Sequence, residues 1–396
     1  MGDGTIKVLI SDSLSERCAE ILRSIPDVQV DINTKLSPEE LKKAIKQYHA
    51  LVVRSATKVT KEIIDAADNL KVVGRAGTGV DNIDTAEATR KGIVVMNTPG
   101  GNTITTAEHA LSMMMAMARK IPQATASMRS GKWDKKSFQG TEMCGKTLGI
   151  LGVGNIGSIV ADRALGLKMN VIAYDPFLSE EAADRLGIEL VSIDELYRRS
   201  DFISIHVPLT NETRNMIDRT AFGKMKKGVK IINCARGGIV NESDLAEAIK
   251  EKVVSGAAFD VFEKEPLPAD SPLHGIDEVI TTPHLGASTA EAQENVAIAV
   301  AEQIADYFTS GTIRNAVNVP SVPAELLTKL ESYLSLAEKL GRFQGQTLTG
   351  GIEEITIEYS GDVVNYDVAP MTISTLKGVL DQVMDQQVNF VNAPVI

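Results

Sequence analysis

Three segments in the second half of the chain carry side chains suited to moving a proton and orienting an anion. His284 sits in TTPHLGAS, at the end of an apolar run. An imidazole titrates at roughly 6.5, so it can take the proton released when an alcohol is oxidised. Arg236 in NCARGGIV also follows an apolar run, at the kind of strand end where α/β proteins bind ligands. Its planar guanidinium suits two-point capture of a carboxylate. Glu265 lies in DVFEKEP, with Asp260 and Glu263 close by. A carboxylate bonded to the far ring nitrogen would fix the histidine tautomer and raise its pKa. Spacing leaves Asp260, Glu263 and Glu265 all open for that role. Of the five histidines, His206 in HVPL is the nearest rival to His284, because it too ends an apolar run; His49, His109 and His274 are read as structural.

A second chemistry is dinucleotide binding. TLGILGVGNIGSIVADRAL places Gly152, Gly154 and Gly157 at G-x-G-x-x-G spacing, between a strand-like run and a helix-like run. Gly152 permits the tight turn, Gly154 lets the backbone approach a pyrophosphate, and Gly157 allows close helix–strand packing. The helix N-terminus then stabilises the negative charge. Asp175 ends the next apolar run, VIAYD, 18 residues after Gly157. Its carboxylate would accept from ribose hydroxyls and repel a 2′-phosphate, which favours NAD over NADP. GRAGTGVDN, with Gly74, Gly77 and Gly79, follows another strand-like run but lacks the third glycine at the right offset. It reads as a backbone anion nest on the substrate side.

These groups need strand ends to hold them. IKVLIS, ALVVRS, KVVGRA and IVVMNTP read as buried strands in the first hundred residues, with SPEELKKAIKQY a capped helix between them. TLGILGVG, NVIAYD, FISIHVPL, VKIINCARG, SGAAFDV and EVITTPHL form a second alternation. The expected fold is α/β, with two doubly wound parallel sheets. TTAEHALSMMMAMARK and STAEAQENVAIAVAEQIADYFTSG read as long helices carrying the chain out of the first domain and back. The expected domains are 1–99 with 289–318 for substrate, an inserted 100–288 for NAD, and a partial α/β regulatory-type domain over 319–396. In that last piece VPSVPAELL reads as a linker, EEITIEYSG as a period-two strand and PMTISTLKGVLDQVM as a helix.

The bulk composition narrows the classes. With 396 residues, 43% hydrophobic and 23% charged, the chain suits a multidomain globular protein. Its net charge of −11 argues against broad nucleic-acid or membrane binding. MGDGTIKVLISDS lacks the pattern of a signal peptide, and no apolar run approaches the roughly 18 residues of a membrane span. Cys18, Cys144 and Cys234 have no metal or redox spacing, so a reduced, cytoplasmic setting is expected. The run Met113 to Met115 with Met117 reads as filler of core or interface gaps, on a helix expected to offer a dimer surface, and no metal site is expected.

NTPGGNTITTAEHAL, GKTLGILGVGNIG, NCARGGIV, FDVFEKEP and PHLGAST together resemble the D-isomer-specific 2-hydroxyacid dehydrogenases. That resemblance, over about residues 5 to 318, implies a flavodoxin-like substrate domain with an inserted Rossmann domain. The family's catalytic glutamate precedes a proline, which selects Glu265 before Pro266. It also implies cofactor contacts at Asn155, Ile156, Pro208, Cys234, Ala235 and Asp260. KVLISDSLSE, LVVRSATKVT, VVGRAGTGVDNID and IPQATASMRSGKW narrow the resemblance to members acting on 3-phospho-D-glycerate. The implied reaction is its NAD-dependent oxidation to 3-phosphohydroxypyruvate, the first step of phosphorylated serine synthesis, in the cleft between the domains. Arg236 would orient the substrate, and His284 with Glu265 would shuttle the proton. Arg54 and Arg75 would hold the phosphate and carboxylate end, with Gly79 and Asn102 contributing. Lys135 and Lys136 would reach a neighbouring subunit in a homodimer or homotetramer. The tail resembles the family's intervening regulatory domain and stops inside it, so serine feedback through a further small domain is not expected. The competing readings are a glyoxylate or hydroxypyruvate reductase, and an NADH-sensing corepressor-like binding protein.

Overall fold

A computed structural model describes residues 5–319, 324–384 and 387–396. The chain folds as two compact units, one of residues 1–101 with 293–396 and one of residues 102–292.

The first unit is built on five parallel strands: β1 (Ile6–Ile10), β2 (Val28–Ile32), β3 (Ala50–Val53), β4 (Val72–Arg75) and β5 (Val94–Asn97). Their order, β2-β1-β3-β4-β5, is the flavodoxin-like one. β3 is buried at every residue, as a strand covered on both faces must be. β2, VQVDI, sits at the edge and buries only one residue fully, so its polar alternation hides it from an apolar-run reading. The helix from Pro38 starts on a capping box: Ser37 Oγ accepts from Glu40 N, and the Glu40 carboxylate accepts from Ser37 N. Val296, Val300 and Ile304 of helix Ala290–Ser310 are buried against Val8, Val52 and Val94, so the returning helix does close this core.

The second unit carries seven parallel strands: β6 (Thr147–Leu151), β7 (Asn170–Tyr174), β8 (Glu189–Leu190), β9 (Phe202–Ile205), β10 (Val229–Asn233), β11 (Val254–Phe259) and β12 (Val279–Thr281). The order is β12-β11-β10-β9-β6-β7-β8. Chain order reverses between β6 and β9, which is the Rossmann switch point. Helix Thr103–Ala118 buries Met113, Met114 and Met117 in this core, where the flexible thioethers fill gaps.

The C-terminal segment falls with the first unit. Helices Ala324–Thr347 and Ala369–Val383 pack together, with Lys377 Nζ 2.6 Å from the Glu338 carboxylate. The first begins inside the stretch expected as a linker, of which residues 320–323 lie outside the described residues. EEITIEYSG is not a strand. Its alternation persists as burial, with Ile355, Ile357 and Tyr359 half-buried between exposed neighbours, but no described backbone pairs with it. A period-two pattern makes a strand only when a second strand completes the ladder. Asn389 Nδ2 donates to Gly92 O at 2.8 Å, and Val391 is buried with the first sheet's core. This small piece buries two small apolar clusters of its own, around Met371 and around Ile373, and also leans on the α/β unit. Among the described residues no helix is long and apolar enough to cross a membrane, and the three cysteines are free.

Candidate active site

Arg236, Glu265 and His284 lie in the loops that follow β10, β11 and β12, three neighbouring parallel strands. Parallel strands put all three loops on one edge, which is why residues far apart in sequence gather there. Asn233 shapes the first loop: its side chain accepts from Ala235 N at 3.1 Å and donates to Arg236 O at 2.9 Å. Gly237 then lets this loop press on the next. A Cβ at 237 would sit 1.9 Å from Phe262 O.

Phe262 N in turn donates to Glu265 Oε1 at 3.1 Å, and Glu265 Oε2 lies 2.7 Å from His284 Nδ1. A carboxylate can only accept, so Nδ1 carries the proton and Nε2 is left to exchange one. The Glu265 hydrogen bond lifts the His284 imidazole above its ordinary value, against partial burial and the charge of Arg236. Burial pushes Glu265 up, but the bond and charge of His284 outweigh it and hold the carboxyl below its usual range. Glu263, left open by spacing, instead gives its backbone N–H to Glu242 at 2.7 Å. His206 is set apart by its surroundings: Ser204 Oγ is 2.8 Å from its Nε2, and burial pushes its imidazole down to about 4.

The dinucleotide fingerprint occupies the switch point. Gly152 has φ +87°, and a Cβ on Gly157 would lie 2.0 Å from Gly152 O, so this turn requires glycines. Gly154 faces open space and caps helix Asn155–Gly166 without a side chain. Asn155 and Ile156 open that helix, whose first N–H groups suit a pyrophosphate. Asp175 accepts from Val153 N at 2.7 Å and from Phe177 N at 2.9 Å, which ties the acidic group to the glycine turn. The residues present fit a dinucleotide. Pro208 is exposed and Ala235 half-buried, both just past strand ends. Cys234 is buried, its thiol pushed up by burial, so only its backbone can face a ligand. Asp260, expected at the cofactor, is fully buried with its carboxylate bonded to Leu285 N and Gly286 N, at 2.7 and 2.8 Å. Asn102 precedes helix Thr103–Ala118.

In the first unit, Arg54 and Arg75 stand at the ends of β3 and β4, next to the switch between β1 and β3. Sequence reasoning missed what holds the Arg54 loop. Buried Asp12, just past β1, accepts from Arg54 N at 2.6 Å and from Thr57 N and Oγ1 at 3.0 and 2.6 Å. Asn82 Nδ2 donates to the carbonyls of Arg54 and Thr57, at 2.9 and 2.7 Å. The loop is clamped from both sides. The signal was Asp12 directly after a buried strand, a position where an unpaired carboxylate would be costly. The GRAGTG loop is closed by Gly77 and Thr98, which exchange two hydrogen bonds, and Gly79 is half-buried in it.

Comparisons with known proteins show which families the chain resembles. Residues 111–286 match the D-isomer specific 2-hydroxyacid dehydrogenase NAD-binding domain, and residues 329–396 match the D-3-phosphoglycerate dehydrogenase intervening domain. The chain is 49% identical over 390 residues to the D-3-phosphoglycerate dehydrogenase of Synechocystis sp., covering 98% of this chain and 70% of that one. It is 47% identical to the enzyme of that name from Archaeoglobus fulgidus, covering 98% and 73%. Among solved structures, a glyoxylate reductase from Paecilomyes thermophila superposes with TM-score 0.72 at 30% identity, over 79% of this chain and 98% of that one. A D-lactate dehydrogenase from Aquifex aeolicus, complexed with NAD and lactic acid, superposes with TM-score 0.69 at 28% identity, over 80% and 100%.

The place of Asp175 yields an expectation for cofactor choice. Asp175→Ser should raise the ratio of kcat/KM with NADP to that with NAD by about tenfold or more, because the carboxylate no longer repels a 2′-phosphate. Steady-state assays with both cofactors check this. An unchanged ratio would assign discrimination to another residue.

Proposed function

We infer the roles of individual residues from one premise: the chain belongs to the D-3-phosphoglycerate dehydrogenases, within the D-isomer-specific 2-hydroxyacid dehydrogenase family. Its reaction is the first step of serine biosynthesis, the oxidation of 3-phospho-D-glycerate to 3-phosphohydroxypyruvate. NAD, when bound, supplies the hydride acceptor. The observation that carries the assignment is the 2.7 Å bond between Glu265 and His284 Nδ1. It leaves Nε2 as the base that takes the substrate hydroxyl proton. A well-placed base is worth roughly 10²- to 10⁴-fold in rate, and Glu265 stabilises the imidazolium that results. Arg236 orients the carboxylate and the carbonyl that forms. The glycine turn, Asn155, Ile156 and Asp175 hold the cofactor, with Pro208, Cys234 and Ala235 contributing at strand ends.

Arg54 and Arg75 take the anionic groups of the substrate, supported by Gly79 and Asn102. The Asp12 clamp favours this reading for Arg54, since it fixes the backbone of a residue that must meet a small dianion. Arg54→Ala is expected to raise KM for 3-phosphoglycerate on the order of a hundredfold. Asp12→Ala should raise it less, with KM for NAD nearly unchanged in both. An unchanged KM in Arg54→Ala removes that residue from the phosphate site and revives a glyoxylate-type substrate.

We assign to self-association the outer face of helix Thr103–Ala118 together with the arm formed by helix Ile121–Arg129 and the segment after it. Met115, Ile121, Met128 and Trp133 are 43%, 52%, 53% and 75% exposed there, more apolar surface than an isolated arm should present to water. Lys135 and Lys136, just beyond, would then lie near a second copy. The three free cysteines fit a reducing, cytoplasm-like compartment. Light scattering at micromolar concentration should give at least a dimer, and Met128→Asp should weaken it; a monomeric native chain would overturn the assignment.

A further inference from the structure

His109 entered as an ordinary structural histidine, and it touches none of the reacting groups. It lies on helix Thr103–Ala118 with its Nε2 3.2 Å from Asp260 Oδ1 and 3.2 Å from Thr282 Oγ1. Asp260 is 0% exposed. Its carboxylate gathers four donors: Thr282 Oγ1 at 2.6 Å, Leu285 N at 2.7 Å, Gly286 N at 2.8 Å and His109. Its carbonyl accepts from His284 N at 3.0 Å. Thr106, one turn before His109 on the same helix, donates to Gly286 O at 3.0 Å. Apart from the His109–Asp260 contact itself, all of these contacts end on the loop of residues 282–286.

That loop holds His284 at φ +56°, the left-handed region that a residue with a Cβ occupies only when its surroundings compel it. Proton counting then fixes the role of His109. Asp260 can only accept, and Thr282 has one proton, which it gives to Asp260. His109 Nε2 must therefore be the donor to both oxygens.

We propose that His109 is a positioning residue for the proton relay: through Asp260 and Thr282 it locks the left-handed loop that aims His284 at Glu265. Helix Thr103–Ala118 thus supplies the support behind the base. Without the His109 donor the buried carboxylate loses a partner where water cannot replace it. Burial pushes Asp260 up, and the bonds from His109, Thr282 and Leu285 outweigh it to keep the carboxyl ionised, below its usual range. Loosening this buckle frees the loop, and His284 withdraws from Glu265.

The proposal rests on His284 being the base, so H284A is the reference. If H284A retains its kcat, the relay reading itself fails; if H284A is impaired and H109L is not, only the role of His109 fails. H109L should lower kcat on the order of ten- to a hundredfold, since small misplacements of a reacting group cost that much. KM for NAD should change little. The groups facing His284 are Glu265, Asp260 and Arg236. A base drawn away from Glu265 loses its main source of raised basicity, so the acid limb of kcat/KM for the oxidation should move to lower pH by about half a unit or more. H109Q, which offers an amide donor near the Nε2 position, should restore both. Equal losses in H109L and H109Q with an unmoved limb would show a packing role and overturn the proposal. If H109L does not fold, T282V carries the same expectation. In the native chain, ¹⁵N-histidine NMR must show neutral His109 protonated on Nε2; the opposite tautomer overturns the proposal without any substitution.

Discussion

Glu265 and His284 meet at 2.7 Å only because three loops fold onto one another at the ends of β10, β11 and β12. Gly237 brings the Arg236 loop against Phe262, and Phe262 N fixes one Glu265 oxygen. Glu265 then fixes His284, while Asp260 holds His284 from behind through the backbone of the same loop. Each group is placed by a neighbour that is itself placed by backbone. On the proposed reading of His284 as the base, this geometry is preorganisation: the imidazole is already aimed before substrate arrives. The two carboxylates are held charged by different means, Glu265 by His284 and Asp260 by several donors in a dry setting.

Much of this was legible in the chain. Glycine spacing and an acidic residue at the end of the next strand are local signals, and the structure keeps them local: Asp175 bonds to Val153 inside the glycine turn. Arg236 and His284 were legible because each follows an apolar run that becomes a buried parallel strand. Choosing Glu265 over Asp260 and Glu263 needed the family pattern, because the choice depends on how a loop folds back. The clamps were not legible. Asp12 reaches Thr57 across 45 residues, and His109 reaches Thr282 across 173, distances over which spacing carries no information. His109 looked ordinary because a lone histidine on an apolar helix usually is.

The C-terminal segment shows the opposite failure. EEITIEYSG has the alternation of a strand, and the structure honours it in burial but not in pairing. Alternation records which side chains avoid water; a ladder needs a second backbone at the right spacing. Val391 and Asn389 tie the segment to the first unit's core and to Gly92, an attachment written in two residues that no periodicity marks.

The central claim is that Glu265 holds His284 as a base with Nε2 free, and histidine NMR reads this directly. With five histidines in the chain, a ¹⁵N-imidazole titration assigned through H284A resolves the residue in question. The account predicts that His284 titrates above the ordinary imidazole value, that its neutral form carries the proton on Nδ1, and that Glu265→Gln lowers the midpoint. A midpoint at or below the ordinary value, or a neutral form protonated on Nε2, would contradict it.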